Sequence, residues 1–169
     1  MYEKNILRSN LNKVVSEKFN LSDKNIKFLS HLIKRKKICT YIPLDSEVDI
    51  NLFLNSYSEI QTTYLVNNEL NVCLLQEPFV MNKLKIKEPK NIQIVDSTDI
   101  FLIPGLAFSR SGERLGRGKG LYDKLLAKYP YSIKVGICSS INLYDKIPQE
   151  AHDILMDYVL TENENLKIH

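Results

Sequence analysis

Between Arg114 and Gly120 the chain reads RLGRGKG and then passes directly into LYDKLLAK, an apolar run at helical spacing. Five of the six glycines fall between Gly105 and Gly120, a clustering that overall composition does not account for. Glycine admits positive φ and removes the Cβ that would hold an anion away from the backbone. A glycine-rich turn that enters a helix presents unpaired N–H groups. Arg114 and Arg117 add planar forks for phosphate oxygens, and Lys119 adds a compact charge on a flexible stem. These residues predict a phosphate-binding loop. It is not a Walker loop, because Glu113 stands where the first Gly is required and Gly120 follows Lys119 where Ser or Thr belongs. It is not a dinucleotide fingerprint either, since Leu121 occupies the third Gly position of a GxGxxG beginning at Gly116.

Such a loop needs a strand behind it and a helix in front. The run Ile100 to Ile103 predicts a buried strand before the loop, and Gly120 to Lys128 a helix after it. Upstream, Ile6, Leu7, Leu11, Val14 and Val15 have helical spacing, as do Ile26, Phe28, Leu29, Leu32 and Ile33 behind a Ser22 cap. A strand is expected at Ile38 to Ile42, ended by Pro43, and a helix from Val48 to Tyr57 with Ser46 and Asp49 as a capping box. Thr62 to Val66 and Leu70 to Leu75 flank Asn67 and Asn68, which suits a hairpin. Residues 61–87 end in a Lys-rich stretch, and Ile133 to Cys138 and Met156 to Leu160 supply the last strands. Strands alternating with helices predict an α/β fold with a mostly parallel sheet in one domain over residues 1–169.

The chain has 169 residues, and 23 basic against 20 acidic side chains leave a net charge of +3, too small a surplus for a broad nucleic-acid surface. No apolar run approaches the ~20 residues of a membrane span. The N-terminal MYEKNILRSN is charged where a signal peptide is apolar, so a cytoplasmic protein without membrane contact is expected. Cys39, Cys73 and Cys138 are scattered among apolar neighbours and read as buried thiols. Lys34 to Lys37 closes a helical pattern and reads as a solvated helix end. His31 and His169 show no metal-ligand spacing, and His152, beside Asp153, is given no catalytic role.

The stretch FLIPGLAFSRSGERLGRGKGLYDKLL closely resembles the signature of the 5-formyltetrahydrofolate cyclo-ligase family, also called methenyltetrahydrofolate synthetase. KNILR at Lys4 to Arg8, YIPLDSEVD at Tyr41 to Asp49, KEP at Lys87 to Pro89 and IPQEAHDILMDYVLTE follow in the family order, so the resemblance spans nearly the whole chain. It departs at Leu121, where the family has Tyr, and at Ser109, where it has Asp. The resemblance implies a three-layer fold akin to the sugar-phosphate isomerase and CoA-transferase group. It implies a monomer with ATP and magnesium as cofactors, and 5-formyltetrahydrofolate, with or without a polyglutamate tail, as substrate. It places Lys4, Asn5, Ile6, Leu7 and Arg8, together with Arg114, Leu115, Gly116, Arg117, Gly118, Lys119, Gly120, Leu121 and Tyr122, around the nucleotide. Arg8, Ile42, Glu47, Arg117, Gly118, Lys119, Gly120 and Leu121 would contact the folate, with Glu47 accepting from pterin N–H groups. Arg117 and Lys119 would be catalytic, and Asp123 and Asp153 would hold the metal. From the residues alone, Lys4 and Arg8 read as an exposed helix face, Glu47 as a solvated or capping residue, Asp123 as a first-turn helix residue and Asp153 as part of a surface turn. Two other readings stand beside this one: another ATP-using enzyme of the same fold, and a small RNA-binding module built on KRKK and GRGKG.

Overall fold

In the computed structural model, which describes residues 2–11 and 19–168, the architecture is set by one doubly buried strand. The chain runs α1 (Tyr2–Leu11), α2 (Asp23–Ile33), β1 (Ile38–Cys39), β2 (Gln61–Val66), β3 (Glu69–Leu74), β4 (Phe79–Met81), β5 (Lys87–Pro89) and β6 (Ile100–Pro104). It continues through β7 (Ala107–Ser109), β8 (Arg114–Leu115), α3 (Leu121–Ala127), β9 (Ile133–Ile137), β10 (Leu143–Tyr144), β11 (Tyr158–Leu160) and β12 (Asn165–Lys167). Every residue of β6 is buried, which is why IFLIP reads as an unbroken apolar run. Successive side chains point to opposite faces of a strand. Ile100 and Leu102 therefore pack with Leu29 and Ile33 of α2, while Phe101 and Ile103 pack with Phe108 and with Leu125 and Leu126 of α3. Two cores on the two faces of one sheet make the three layers.

The main sheet has seven strands among the described residues, in the order β12-β11-β9-β6-β1-β2-β3. Its inner pairs are parallel, and only the outer strands β3 and β12 run antiparallel to their neighbours. The fold is α/β with a mostly parallel sheet, as the alternating elements predict. Ser22 caps α2, its Oγ accepting from the Asn25 N–H at 3.4 Å. Asn25 is itself fully buried and donates to the Thr161 carbonyl at 2.9 Å, tying α2 to the end of β11. Asn67 and Asn68 take φ of 49° and 63° in the two-residue turn between β2 and β3, a left-handed pair that asparagine tolerates.

Several expectations are corrected. Val14, Val15 and His169 lie outside the described residues. The expected helix from Val48 to Tyr57 is a single 3-10 turn at Asn51–Phe53, and there is no capping box: Asp49 accepts from the Asn51 N–H at 3.0 Å, while Ser46 accepts from Arg117. Side chains tie this segment down locally: the buried Tyr41 hydroxyl donates to the Val48 carbonyl, and Asn51 donates to the Tyr41 carbonyl at 2.9 Å and accepts from the Thr40 hydroxyl at 2.8 Å. Strand β1 is also shorter than expected, ending at Cys39. The glycine loop is shorter as well, since β7 and β8 form a hairpin inside the stretch read as loop. Ser109, where the family pattern has Asp, is fully buried and accepts from the N–H groups of Ser111 and Glu113, so it closes this turn as an aspartate would.

The three cysteines are buried and unpaired, as expected. Burial, with the Glu88 charge second, pushes the Cys73 thiol up to about 11. Burial and then Glu162 push that of Cys138 up to about 12. Among the described residues no helix is long and apolar enough to cross a membrane. The basic run from Lys34 to Lys37 is exposed at the C-terminal end of α2.

Candidate active site

The segment Gly116–Gly120 connects the two-residue strand β8 to α3. Gly118 has φ of 88°, a conformation that side-chain-bearing residues avoid, and it faces the Arg8 guanidinium. Arg8 reaches the loop from α1, its Nε donating to the Gly116 carbonyl at 2.9 Å and its Nη1 to Asn5 Oδ1 at 2.7 Å. Helix α1 is thus fastened along the loop, which explains how a segment more than a hundred residues upstream joins the site.

The loop forms one wall of a cavity of about 630 Å³. Lys4, Asn5 and Arg8 line it from α1, and Tyr41, Ile42, Leu44 and Glu47 from the segment after β1. Thr63, Tyr64 and Leu65 line it from β2 and Leu70 from β3, while Leu84, Ile86 and Glu88 come from the β4–β5 hairpin. Asp123 and Asp153 both face it, as do Arg114, Gly116, Arg117, Gly118, Lys119, Gly120, Leu121 and Tyr122. Three expected residues do not line it: Ile6 is exposed, and Leu7 and Leu115 pack with Leu11, Leu106 and Ile147 in a small separate core.

Three cation–anion pairs line this cavity. Lys4, only 3% exposed, donates to Asp153 Oδ2. Burial alone would raise the Asp153 carboxyl, but the Lys4 hydrogen bond, the Glu150 N–H and the Lys4 charge hold it below the usual range. Arg114 donates from Nη2 to Asp123 Oδ2 at 3.0 Å, and its guanidinium lies 5.3 Å from the centre of the Tyr122 ring. Arg117 donates from Nη2 to Ser46 Oγ at 2.6 Å and from Nε to Glu47 Oε1 at 3.4 Å. The other Glu47 oxygen accepts from the Leu44 N–H at 3.1 Å, so this carboxylate is held from two sides instead of being solvated. Lys119 is exposed and forms no ion pair among the described residues. Burial pushes the Tyr41 and Tyr122 phenols well up, so both stay neutral, as wall and as hydrogen-bonding groups.

Such a surface combines glycine backbone and the cations Lys4, Arg8, Arg114, Arg117 and Lys119 with the carboxylates of Glu47, Asp123 and Asp153 and with the aliphatic side chains of Ile42, Leu44, Leu84 and Ile86. It can take an anionic group and an organic ring system side by side. Comparison with known proteins identifies the class. A sequence model of the 5-formyltetrahydrofolate cyclo-ligase family matches residues 4–162. The chain belongs to that family. It is 30% identical over 161 residues to the 5-formyltetrahydrofolate cyclo-ligase of Mycoplasma genitalium, covering 90% of each chain. It is 29% identical over 150 residues to the enzyme of that name from Mycolicibacterium smegmatis, covering 79% of this chain and 77% of that one. The solved structure of Aquifex aeolicus 5,10-methenyltetrahydrofolate synthetase matches with a TM-score of 0.80 and 31% identity over 98% of this chain and 92% of that chain.

Sequence reasoning missed the β4–β5 wall. Leu84 and Ile86 sit in the turn between β4 and β5, where no strand or helix period marks them. Tyr41, Thr63, Tyr64 and Leu70 carried no signal, because each is an ordinary strand or loop residue until the sheet edge brings it to the cavity. Glu150, His152 and Asp153 have ligand atoms within 4.8 Å of one another, a proximity invisible in a short acidic stretch.

Proposed function

We propose that this enzyme closes 5-formyltetrahydrofolate to 5,10-methenyltetrahydrofolate with ATP, releasing ADP and phosphate. The observation that supports this most is that one cavity joins the glycine and cation loop to the Glu47 segment and an aliphatic wall. An N-formyl group is an amide, so its carbon is a poor electrophile and its oxygen a poor leaving group. Transfer of the γ-phosphoryl group to that oxygen gives an iminium phosphate. The neighbouring folate nitrogen attacks its carbon within the same molecule and gives up its N–H proton, the C–O bond breaks, and phosphate leaves with the oxygen and the electron pair. Effective molarities for such well-oriented intramolecular steps reach about 10⁵ M or more, so the protein has chiefly to align and neutralise.

In this reading the backbone of Gly116 to Gly120, Lys119, Arg117, Arg114, Lys4 and Arg8 hold phosphate oxygens, and Lys119 and Arg117 offset the charge that moves with the phosphoryl group. Glu47 accepts from pterin N–H groups, with Ile42 and Leu121 beside the ring. The donors Asp123 and Asp153 are hard oxygen ligands on one cavity, which suits magnesium, and Lys4 and Arg114 would turn to phosphate when the carboxylates turn to the metal. Magnesium would supply charge neutralisation at the phosphates. Three buried unpaired thiols support a reducing, cytoplasmic setting, and two cores sharing one sheet support a single domain over residues 1–169. Binding of RNA is disfavoured because Lys34 to Lys37 contributes nothing to the cavity that Arg117 and Lys119 line.

The test is to incubate purified protein with 5-formyltetrahydrofolate, magnesium and ATP. Methenyl-folate absorbance with one ADP per product is expected, and no product at any enzyme concentration overturns the reading. Asp123→Asn should lower turnover with partial recovery at high magnesium; full activity at limiting magnesium removes Asp123 from the metal.

A further inference from the structure

The β4–β5 hairpin is not part of the main sheet, yet it supplies Leu84 and Ile86 to the cavity. Something must hold it there. Its strands are three residues each and largely exposed, and a two-stranded hairpin alone is marginally stable. The fastening is a hydrogen-bond relay through Glu88 and Asn82. One carboxylate oxygen, Glu88 Oε2, accepts from the Leu65 backbone N–H of β2 at 3.0 Å and from Asn82 Nδ2 at 2.9 Å. Asn82 Oδ1 in turn accepts from the N–H groups of Leu84 at 2.9 Å and Ile86 at 3.2 Å. The same oxygen of Glu88 thus grips both the sheet and, through one amide, the turn that carries the two aliphatic side chains.

We propose that Glu88 is a positioning residue which, with Asn82, pins the β4–β5 turn to strand β2 and so sets the Leu84 and Ile86 wall against the ring system of the folate. The proposal rests on the reaction proposed above for the choice of ligand, but the clamp itself does not. Glu88 acts here as a hydrogen-bond acceptor, and its charge is incidental. The phosphate-facing groups of α1 and Gly116 to Gly120 belong to other elements, so the relay separates folate binding from nucleotide binding.

Two replacements distinguish acceptor from charge. Glu88→Gln keeps a carbonyl oxygen for both donors, whereas Glu88→Ala removes it. In Glu88→Ala, amide exchange at Leu65, Leu84 and Ile86 should speed about tenfold or more, and the KM for 5-formyltetrahydrofolate should rise about tenfold while that for ATP moves less than about twofold. Glu88→Gln should recover most of both effects. Leu84→Ala, which spares the relay, should raise the folate KM without faster exchange at Leu65. Circular dichroism separates these outcomes from global unfolding. Unchanged exchange in Glu88→Ala, equal loss in Glu88→Gln and Glu88→Ala, or parallel rises in both KM values would each overturn the positioning role. A wild-type protein with no turnover would instead overturn the proposed reaction, and the exchange data would still decide the clamp.

Discussion

Arg114 and Asp123 are joined across the start of α3 by a 3.0 Å hydrogen bond between side chains that are 7% and 14% exposed. Among the described residues the Arg114 Nε is buried without a hydrogen-bond partner.

That pairing separates two residues that the sequence treats alike. Removing Arg114 leaves a partly buried carboxylate unpaired, whereas Lys119 has no ion-pair partner among the described residues to abandon. We expect Arg114→Ala to lower both the thermal midpoint and ATP affinity, and Lys119→Ala to lower ATP affinity alone. Calorimetric titration with ATP beside a melting curve checks this; equal melting points for the two variants would contradict it.

Glu47 is held by Arg117 and by the Leu44 N–H. Glu47→Gln preserves the shape of this turn and deletes the charge that pterin donors would meet. Hydrogen bonds to charged groups are typically worth roughly 1.5 to 3 kcal/mol, so the folate KM should rise at least about tenfold with little change for ATP. An unchanged folate KM would return Glu47 to a purely structural part.

The Lys4–Asp153 pair makes stability depend on pH. The folded carboxyl titrates below its ordinary value, so its contribution is complete above the unfolded pKa and disappears as pH falls through the lower, folded one. The difference in thermal midpoint between wild type and Asp153→Asn should therefore be largest near neutrality and shrink as acid protonates the folded carboxyl. A difference that grew in acid would reverse the sign of the linkage.

Gly136 in β9 tests the packing of the loop-side core. A Cβ there would lie 2.3 Å from the Phe108 ring edge, inside any permitted contact. Because Phe108 is fully buried and cannot swing away, Gly136→Ala should cost about 2 kcal/mol or more through overpacking. Chemical denaturation measures it, and Gly136→Ala with Phe108→Leu should recover part of the loss. A single variant as stable as wild type would mean that the ring moves freely.

How much of this was legible in the chain follows from which forces act locally. β6 announced itself because burial on both faces leaves no polar position, and α2 because Ser22 and its apolar stripe are local signals. Where a Val48 to Tyr57 helix was expected, the chain is held by Tyr41 on the Val48 carbonyl and Asn51 on the Tyr41 carbonyl, contacts that no periodicity encodes. Gly116 to Gly120 and their cations were readable as a phosphate loop, since glycine density is a property of the sequence itself. The salt-bridge partners were not: Lys4 with Asp153 and Arg117 with Glu47 join distant segments, and a lone charge looks solvated until the fold supplies its counterion.

The contact between Lys4 and Asp153 spans 149 positions. During synthesis, then, α1 emerges from the ribosome ahead of the sheet and must wait for most of it before its lysine finds the Asp153 carboxylate. A nascent chain stalled ahead of Asp153 has the glycine loop already made but lacks this closure. Nucleotide should protect such a stalled chain from proteases far less than it protects one in which Asp153 has emerged.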